Sequence, residues 1–94
     1  MNTAEKIETV ILCHLQRGTT VGACGSLVPV PEFGLYRVEA DGLTVLARTD
    51  AEGWVVSFKG CVGRGDLYGA ACDALAAGAG ATVSSTADAL AILR

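Results

Sequence analysis

The dipeptide Asp41-Gly42 stands between two runs of alternating apolar and polar residues, and this combination constrains the fold more than any other feature. The runs are Leu35–Glu39 before the dipeptide and Leu43–Arg48 after it. Such alternation is typical of half-buried β-strands, and Asp-Gly favours the two-residue type I′ turn that joins antiparallel neighbours. The sequence therefore predicts a β-hairpin with one face against a core.

The hairpin is expected to belong to a longer meander. A turn at Asp50–Gly53 precedes a third strand, Trp54–Lys59. Because successive side chains of a strand point to opposite sides, this strand divides its residues between two faces. One face carries Trp54, Val56 and Phe58, and the other carries Val55, Ser57 and Lys59. An irregular edge strand is predicted within Thr19–Val30, since the prolines at its end cannot donate to a ladder.

A helix is predicted before the strands, at Thr3–Arg17, where apolar residues recur at helical spacing. Asn2 and Glu5 have the spacing of a capping box, and Gly18 suits the left-handed residue that ends a helix. These signals place the helix boundaries independently of the rest of the chain.

A second helix is predicted after the strands, at Leu67–Ala77. Asp66 is a good N-cap for it, and Gly78 is expected to end it. The glycine-rich segment Gly60–Gly65 is interpreted as the connector between the third strand and this helix.

The element order α-β-β-β-β-α predicts one α+β domain over residues 1–94, with both helices packed on one face of an antiparallel sheet of three or four strands. A short C-terminal element follows. Ala81–Val83 is expected to add a short strand, and residues 85–94 fit either a short helix or a strand.

The stretch Gly53–Asp66, followed by Ala70–Leu75, resembles the HicB family of antitoxins. The shared features are a Gly-aromatic-Val strand, a Gly-Cys pair, a Gly-Asp helix start and an Ala-rich helix, within about residues 43–77. The resemblance implies a partial ribonuclease-H-like β-β-β-α-β core in a protein that neutralises a toxin by covering it. The acid and proline that the family places before its Gly-Cys pair are missing, as is a C-terminal DNA-binding domain.

The helix–strands–helix order is also similar to that of double-stranded-RNA-binding domains, which is the alternative interpretation. That family has a basic cluster where its second helix starts, whereas here only Arg64 lies near that point. Seven basic residues against ten acidic ones leave a formal net charge of −3. Nucleic-acid binding is therefore not expected, although Arg37, Arg48, Lys59 and Arg64 are the residues that would provide it.

Catalytic, metal and cofactor sites are not predicted. The single histidine, His14, lies at helical spacing from apolar residues, and the four cysteines lack the close pairs of zinc sites. The glycine-rich segment before the second helix is a weak candidate for an anion-binding loop. Its residues would be Gly60, Gly63, Arg64 and Gly65.

The composition favours a protein-binding module, because half of the residues are apolar and only 18% are charged. An acidic inhibitor of a larger protein fits this profile, for example an antitoxin or a phage-encoded anti-CRISPR-type inhibitor. A homodimer is compatible with the same composition. The polar N-terminus predicts a cytoplasmic protein with reduced thiols and no membrane association. The expected contact residues are Phe33, Arg37, Glu39, Val55 and Lys59, although Phe33 fits packing into the core equally well.

Overall fold

Two helices and a five-stranded antiparallel sheet form residues 1–80, the part of the chain that the computed structural model describes. The elements are α1 Thr3–Arg17, β1 Ser26–Val30, a 3₁₀ helix Pro31–Phe33, β2 Leu35–Ala40, β3 Leu43–Asp50, β4 Gly53–Phe58, β5 Cys61–Gly65 and α2 Leu67–Gly78. The strands are neighbours in chain order, β1 to β5. The predicted α+β meander is confirmed, with one strand more than predicted. The predictions for Ala81–Val83 and residues 85–94 lie outside the described residues.

Helix α1 begins and ends as its sequence predicts. The Asn2 side chain accepts a hydrogen bond from the Glu5 amide at 2.8 Å, and the Glu5 carboxylate accepts one from the Asn2 amide. Gly18 ends the helix in the left-handed conformation and donates its amide to the carbonyl of His14. Ile7, Val10 and Ile11 form the buried stripe that packs on the sheet.

Two tight turns set the register of the central strands. Asp41 and Gly42 both have positive φ, 53° and 74°, so the predicted type I′ hairpin is confirmed. Lys59 and Gly60 have the same pattern, 52° and 81°, and join β4 to β5. This second turn corrects the connector interpretation: Gly60–Gly65 is not a loop, because five of its six residues form β5.

Helix α2 starts where predicted, with the Asp66 side chain accepting from the Gly69 amide at 3.2 Å. It runs past the expected stop. Gly78 is still helical and buried against Phe58, and the capping residue is Ala79 in a right-handed conformation. The glycine is thus the last residue of the helix and packs against the sheet.

The apolar interior lies on both sides of the sheet. The larger cluster fills the space between the sheet and the two helices, and includes Ile7, Val38, Val45, Val56, Phe58 and Ala74. The smaller cluster lies on the opposite side, which we call the outer face. It consists of Leu35, Leu46 and Val55, with Val30, Phe33 and Val62 packed against them.

Candidate protein-contact surface

Half of the outer face is exposed, on β1, β2 and the start of β3. Cross-strand pairing places Val28 opposite Arg37, and Glu39 between Ser26 and Thr44. All five side chains are exposed. We call this set the exposed strip: Ser26, Val28, Arg37, Glu39 and Thr44.

Val28 is the apolar centre of the exposed strip. Its side chain is 46% exposed, although valine is usually buried in a sheet. The neighbouring charges of Arg37 and Glu39 form no ion pair within residues 1–80. Protein interfaces combine apolar side chains with polar groups that pair with the partner. Val28, with unpaired charges of both signs beside it, has this combination.

The other half of the outer face is buried, and this corrects the expectation for Val55. The side chain points to the predicted face, but its exposure is 0%. Phe33 is half-buried and packs against the outer-face cluster that contains Val55. This packing accounts for its position on the 3₁₀ helix. Neither residue belongs to the exposed strip.

Two polar atoms are enclosed in this buried half. The Ser57 hydroxyl and the Nε atom of Arg48 have no hydrogen-bond partner among the described residues, and Ser57 is only 2% exposed. Ser57 lies opposite Leu46 on one side and Val62 on the other. An unpaired buried hydroxyl costs stability, because it loses its hydrogen bonds to water.

Lys59 does not lie on the outer face of β4 as predicted. It occupies the left-handed first position of the β4–β5 turn. Its ammonium lies 5.2 Å from the centre of the Phe58 ring, within the range of a cation–π contact. The side chain is thereby directed to the side of the sheet that carries the helices.

The residues of the predicted anion-binding loop lie in a turn and a strand: Gly60 belongs to the β4–β5 turn, and Gly63, Arg64 and Gly65 belong to β5. Gly63 is paired with Val56 and buried beneath α2, while Arg64 pairs with Val55. The Arg64 guanidinium is 3.5 Å from Asp50. A ladder strand does not present the run of convergent amides that an anion requires.

The remaining candidate groups for catalysis have structural partners. The His14 ring packs edge-on against Tyr36, with ring centres 5.4 Å apart. Asp50 and Glu52 line a cavity of 240 Å³ with Trp54 and Arg64, where Asp50 contacts Arg64. Nowhere in residues 1–80 do three potential ligand residues group to hold a metal ion.

One charged pair ties α1 to the β2–β3 turn. Lys6 Nζ donates to Asp41 Oδ1 at 2.5 Å, and the Thr3 hydroxyl donates to Asp41 Oδ2 at 2.8 Å. The hydrogen bond from Lys6, with that from Thr3, lowers the pKa of Asp41, and the same bond raises the pKa of Lys6. Both groups are solvent-accessible, so the pair orients the turn more than it stabilises the fold.

The contact residues expected from the sequence include Arg37 and Glu39 of the exposed strip but not Val28. The segment around Val28 contains Gly22, Gly25 and two prolines, which obscured its alternation. Its register with β2 becomes visible only when the strands are paired. The available signal was the spacing of Val28 and Val30, which places both on one face.

No family model, curated protein or solved structure matches the chain. Neither described helix is long and apolar enough to span a membrane.

Proposed function

We propose that this protein is a non-enzymatic binding module that uses the exposed strip to cover the functional surface of a larger protein. The observation that carries the proposal is the exposure of Val28 beside the unpaired charges of Arg37 and Glu39. Side chains held on paired strands are already ordered, so a surface with an apolar centre and mixed charges there loses little conformational entropy on binding.

The net charge supports a basic partner. A formal charge of −3 on a small chain steers association toward positively charged surfaces, such as those that bind nucleic acid. An inhibitor that occupies such a surface blocks it without any chemistry. Antitoxins and phage-encoded inhibitors of bacterial defence are proteins of this kind.

The order of elements supports the antitoxin form of the proposal. The segment that resembles the HicB family, residues 43–77, folds as β3, β4, β5 and α2. This β-β-β-α order is that of the first four elements of the core implied by the resemblance. The added β1 and β2 provide four of the five residues of the exposed strip, so most of the proposed contact lies outside the resembling segment.

The basic residues support nucleic-acid binding less well. Arg64 is paired with Asp50, Lys59 lies over Phe58, and the Nε atom of Arg48 is buried. Among residues 1–80, Arg37 therefore lacks the cluster of free cations that a phosphate backbone requires.

The test compares a change in the strip with the same change elsewhere. Val28→Asp places a charge at the centre of the strip. Val21→Asp is the control: it makes the same substitution at a valine that is 80% exposed and lies between α1 and β1. Tagged wild type and both variants are used to capture proteins from the source cells. We expect wild type and Val21→Asp to retain the same stoichiometric partner and Val28→Asp to lose it.

The captured partner is then purified and titrated with each form. Arg37→Glu should weaken its binding by about tenfold, since reversing a charge in an interface costs roughly 1.4 kcal/mol or more. Thermal unfolding establishes that each variant is folded. Retention of the partner by folded Val28→Asp, or the absence of any stoichiometric partner, would contradict the proposal.

A further inference from the structure

A cavity of 290 Å³ opens on the helix side of the sheet, away from the exposed strip. Its walls are formed mainly by the apolar side chains of Leu43, Phe58 and Leu75. Thr3, at the start of α1, and Ala79, at the end of α2, complete the lining together with Lys59. The cavity therefore lies where the ends of both helices meet the β4–β5 turn.

Lys59 is an unusual residue for its backbone position. A type I′ turn favours Asn, Asp or Gly at its first position, because φ is positive there, and Lys59 has φ of 52°. Lysine is uncommon in this conformation, and residues in uncommon backbone conformations cluster at functional sites. Here the ammonium lies 5.2 Å from the centre of the Phe58 ring, and both Lys59 and Phe58 line the cavity.

The charge at the cavity is positive. Among the lining residues that the structure describes, only Lys59 is charged, and its ammonium forms no salt bridge with a carboxylate of residues 1–80. The nearby Asp41 carboxylate is already paired with Lys6 and Thr3. Thr3 is the first residue of α1, so the positive end of a helix dipole also lies at the lining.

The volume of the cavity indicates the size of the ligand that it can hold. A water-sized group occupies about 30 Å³ in a liquid, so the cavity accommodates roughly ten such groups. This volume corresponds to a short alkyl chain with a small polar head. The apolar walls suit the chain, and the ammonium of Lys59 suits an anionic head.

We propose that this cavity binds a small amphiphilic carboxylate, a linear alkyl chain of about eight carbons with its carboxylate on Lys59. The alkyl chain lies against Leu43, Phe58 and Leu75, and the head group replaces the water around the ammonium. This site is separate from the exposed strip and does not depend on the proposed function.

The first experiment titrates the full chain with octanoate, octanol and octylammonium, and follows backbone amide shifts by NMR. We expect octanoate to bind at least about tenfold more tightly than the other two, since only its head group pairs with the ammonium. The shifts should centre on Leu43, Phe58 and Leu75. Equal binding of octanol, or shifts centred elsewhere, would overturn the proposal.

The second experiment separates the charge of Lys59 from its place in the turn. Lys59→Asn removes the ammonium but suits the left-handed position, so the turn is retained. It should weaken octanoate binding by about tenfold, whereas Lys59→Arg should preserve binding. Arg64→Gln, which removes a cation outside the cavity, is the matched control and should have no effect.

The third variant tests the cavity itself. Ala79→Phe adds a ring at an exposed position of the lining and should abolish octanoate binding without unfolding the chain. Undiminished binding by Lys59→Asn or by Ala79→Phe would show that octanoate does not occupy this cavity.

Discussion

Gly63 on β5 lies directly beneath the carbonyl oxygen of Ala70 on α2, with no space between them for a side chain. A Cβ atom at Gly63 would overlap that oxygen and would lie 2.8 Å from the amide nitrogen of Ala74. This contact brings α2 onto the sheet at backbone distance. It also explains why a strand position is occupied by glycine, which is otherwise unfavourable in strands.

Gly63→Ala is therefore expected to destabilise the fold by about 3 kcal/mol, because neither backbone group can move aside. Gly80→Ala is the matched control, since a Cβ atom there lies within 4 Å of no other atom among the described residues, its chain neighbours aside. It should change the free energy of unfolding by less than about 0.5 kcal/mol. Chemical denaturation measures both, and equal stability of the two variants would contradict the observed closeness of α2 and β5.

The Lys6–Asp41 pair predicts a specific pH dependence of stability. The pKa of Asp41 is lowered from 3.8 in the folded state, so its contribution is present above pH 3.8 and is lost as the pH falls through the lowered pKa. The pKa of Lys6 is raised from 10.5, so its contribution is present below pH 10.5 and is lost as the pH rises through the raised pKa.

Asp41→Asn tests this dependence, because asparagine tolerates the left-handed turn position but carries no charge. We expect the melting temperature of wild type to exceed that of Asp41→Asn near pH 6, and the difference to diminish as the pH falls below 3.8 through the lowered pKa of Asp41. A difference that does not vary with pH would show that the carboxylate charge has no role.

Phe33→Ala is expected to destabilise the protein by about 1–3 kcal/mol, less than the loss of a fully buried phenylalanine. The sequence suggested an exposed anchor, but the ring packs against the outer-face cluster. Glu32→Ala, on the same 3₁₀ helix and exposed, should leave the melting temperature nearly unchanged. An unchanged melting temperature for Phe33→Ala would restore its assignment as a surface residue.

Ser57→Ala is expected to leave stability unchanged or to raise it by about 1 kcal/mol, because it removes a buried hydroxyl that has no partner in the described chain. Ser26→Ala, at an exposed serine of β1, provides the comparison. If Ser57→Ala lowered the free energy of unfolding by more than about 1 kcal/mol, the Ser57 hydroxyl of the wild type would have to form a hydrogen bond.

Local signals in the sequence were sufficient for the helix starts and for the first hairpin. The Asn2–Glu5 capping box, the Asp66 N-cap and the Asp41-Gly42 turn all act within four residues of chain. Their physical cause is a hydrogen bond or a backbone angle that the nearby residues supply themselves. Such features do not depend on what packs against them.

Strand β5 and the β4–β5 turn depended on tertiary structure. Lys59 is not a usual residue for a type I′ turn, and the glycines of Gly60–Gly65 have low strand propensity. Pairing with β4 and the close approach of α2 to Gly63 favour the strand, and both come from residues distant in sequence. Local propensity alone therefore indicated a loop.

The two faces of the sheet also combine a property set by the local sequence with one set by tertiary structure. Alternation along the strands determined that Val55, Arg37 and Glu39 point to the outer face, because the period of a strand is a property of the backbone. It did not determine that Val55 is buried there while Val28 is exposed. Exposure depends on which groups pack over a face, and Phe33 reaches that cluster from a separate 3₁₀ helix. The sequence alone thus determined the direction of each side chain, and only tertiary packing decided which of them remain accessible to a partner.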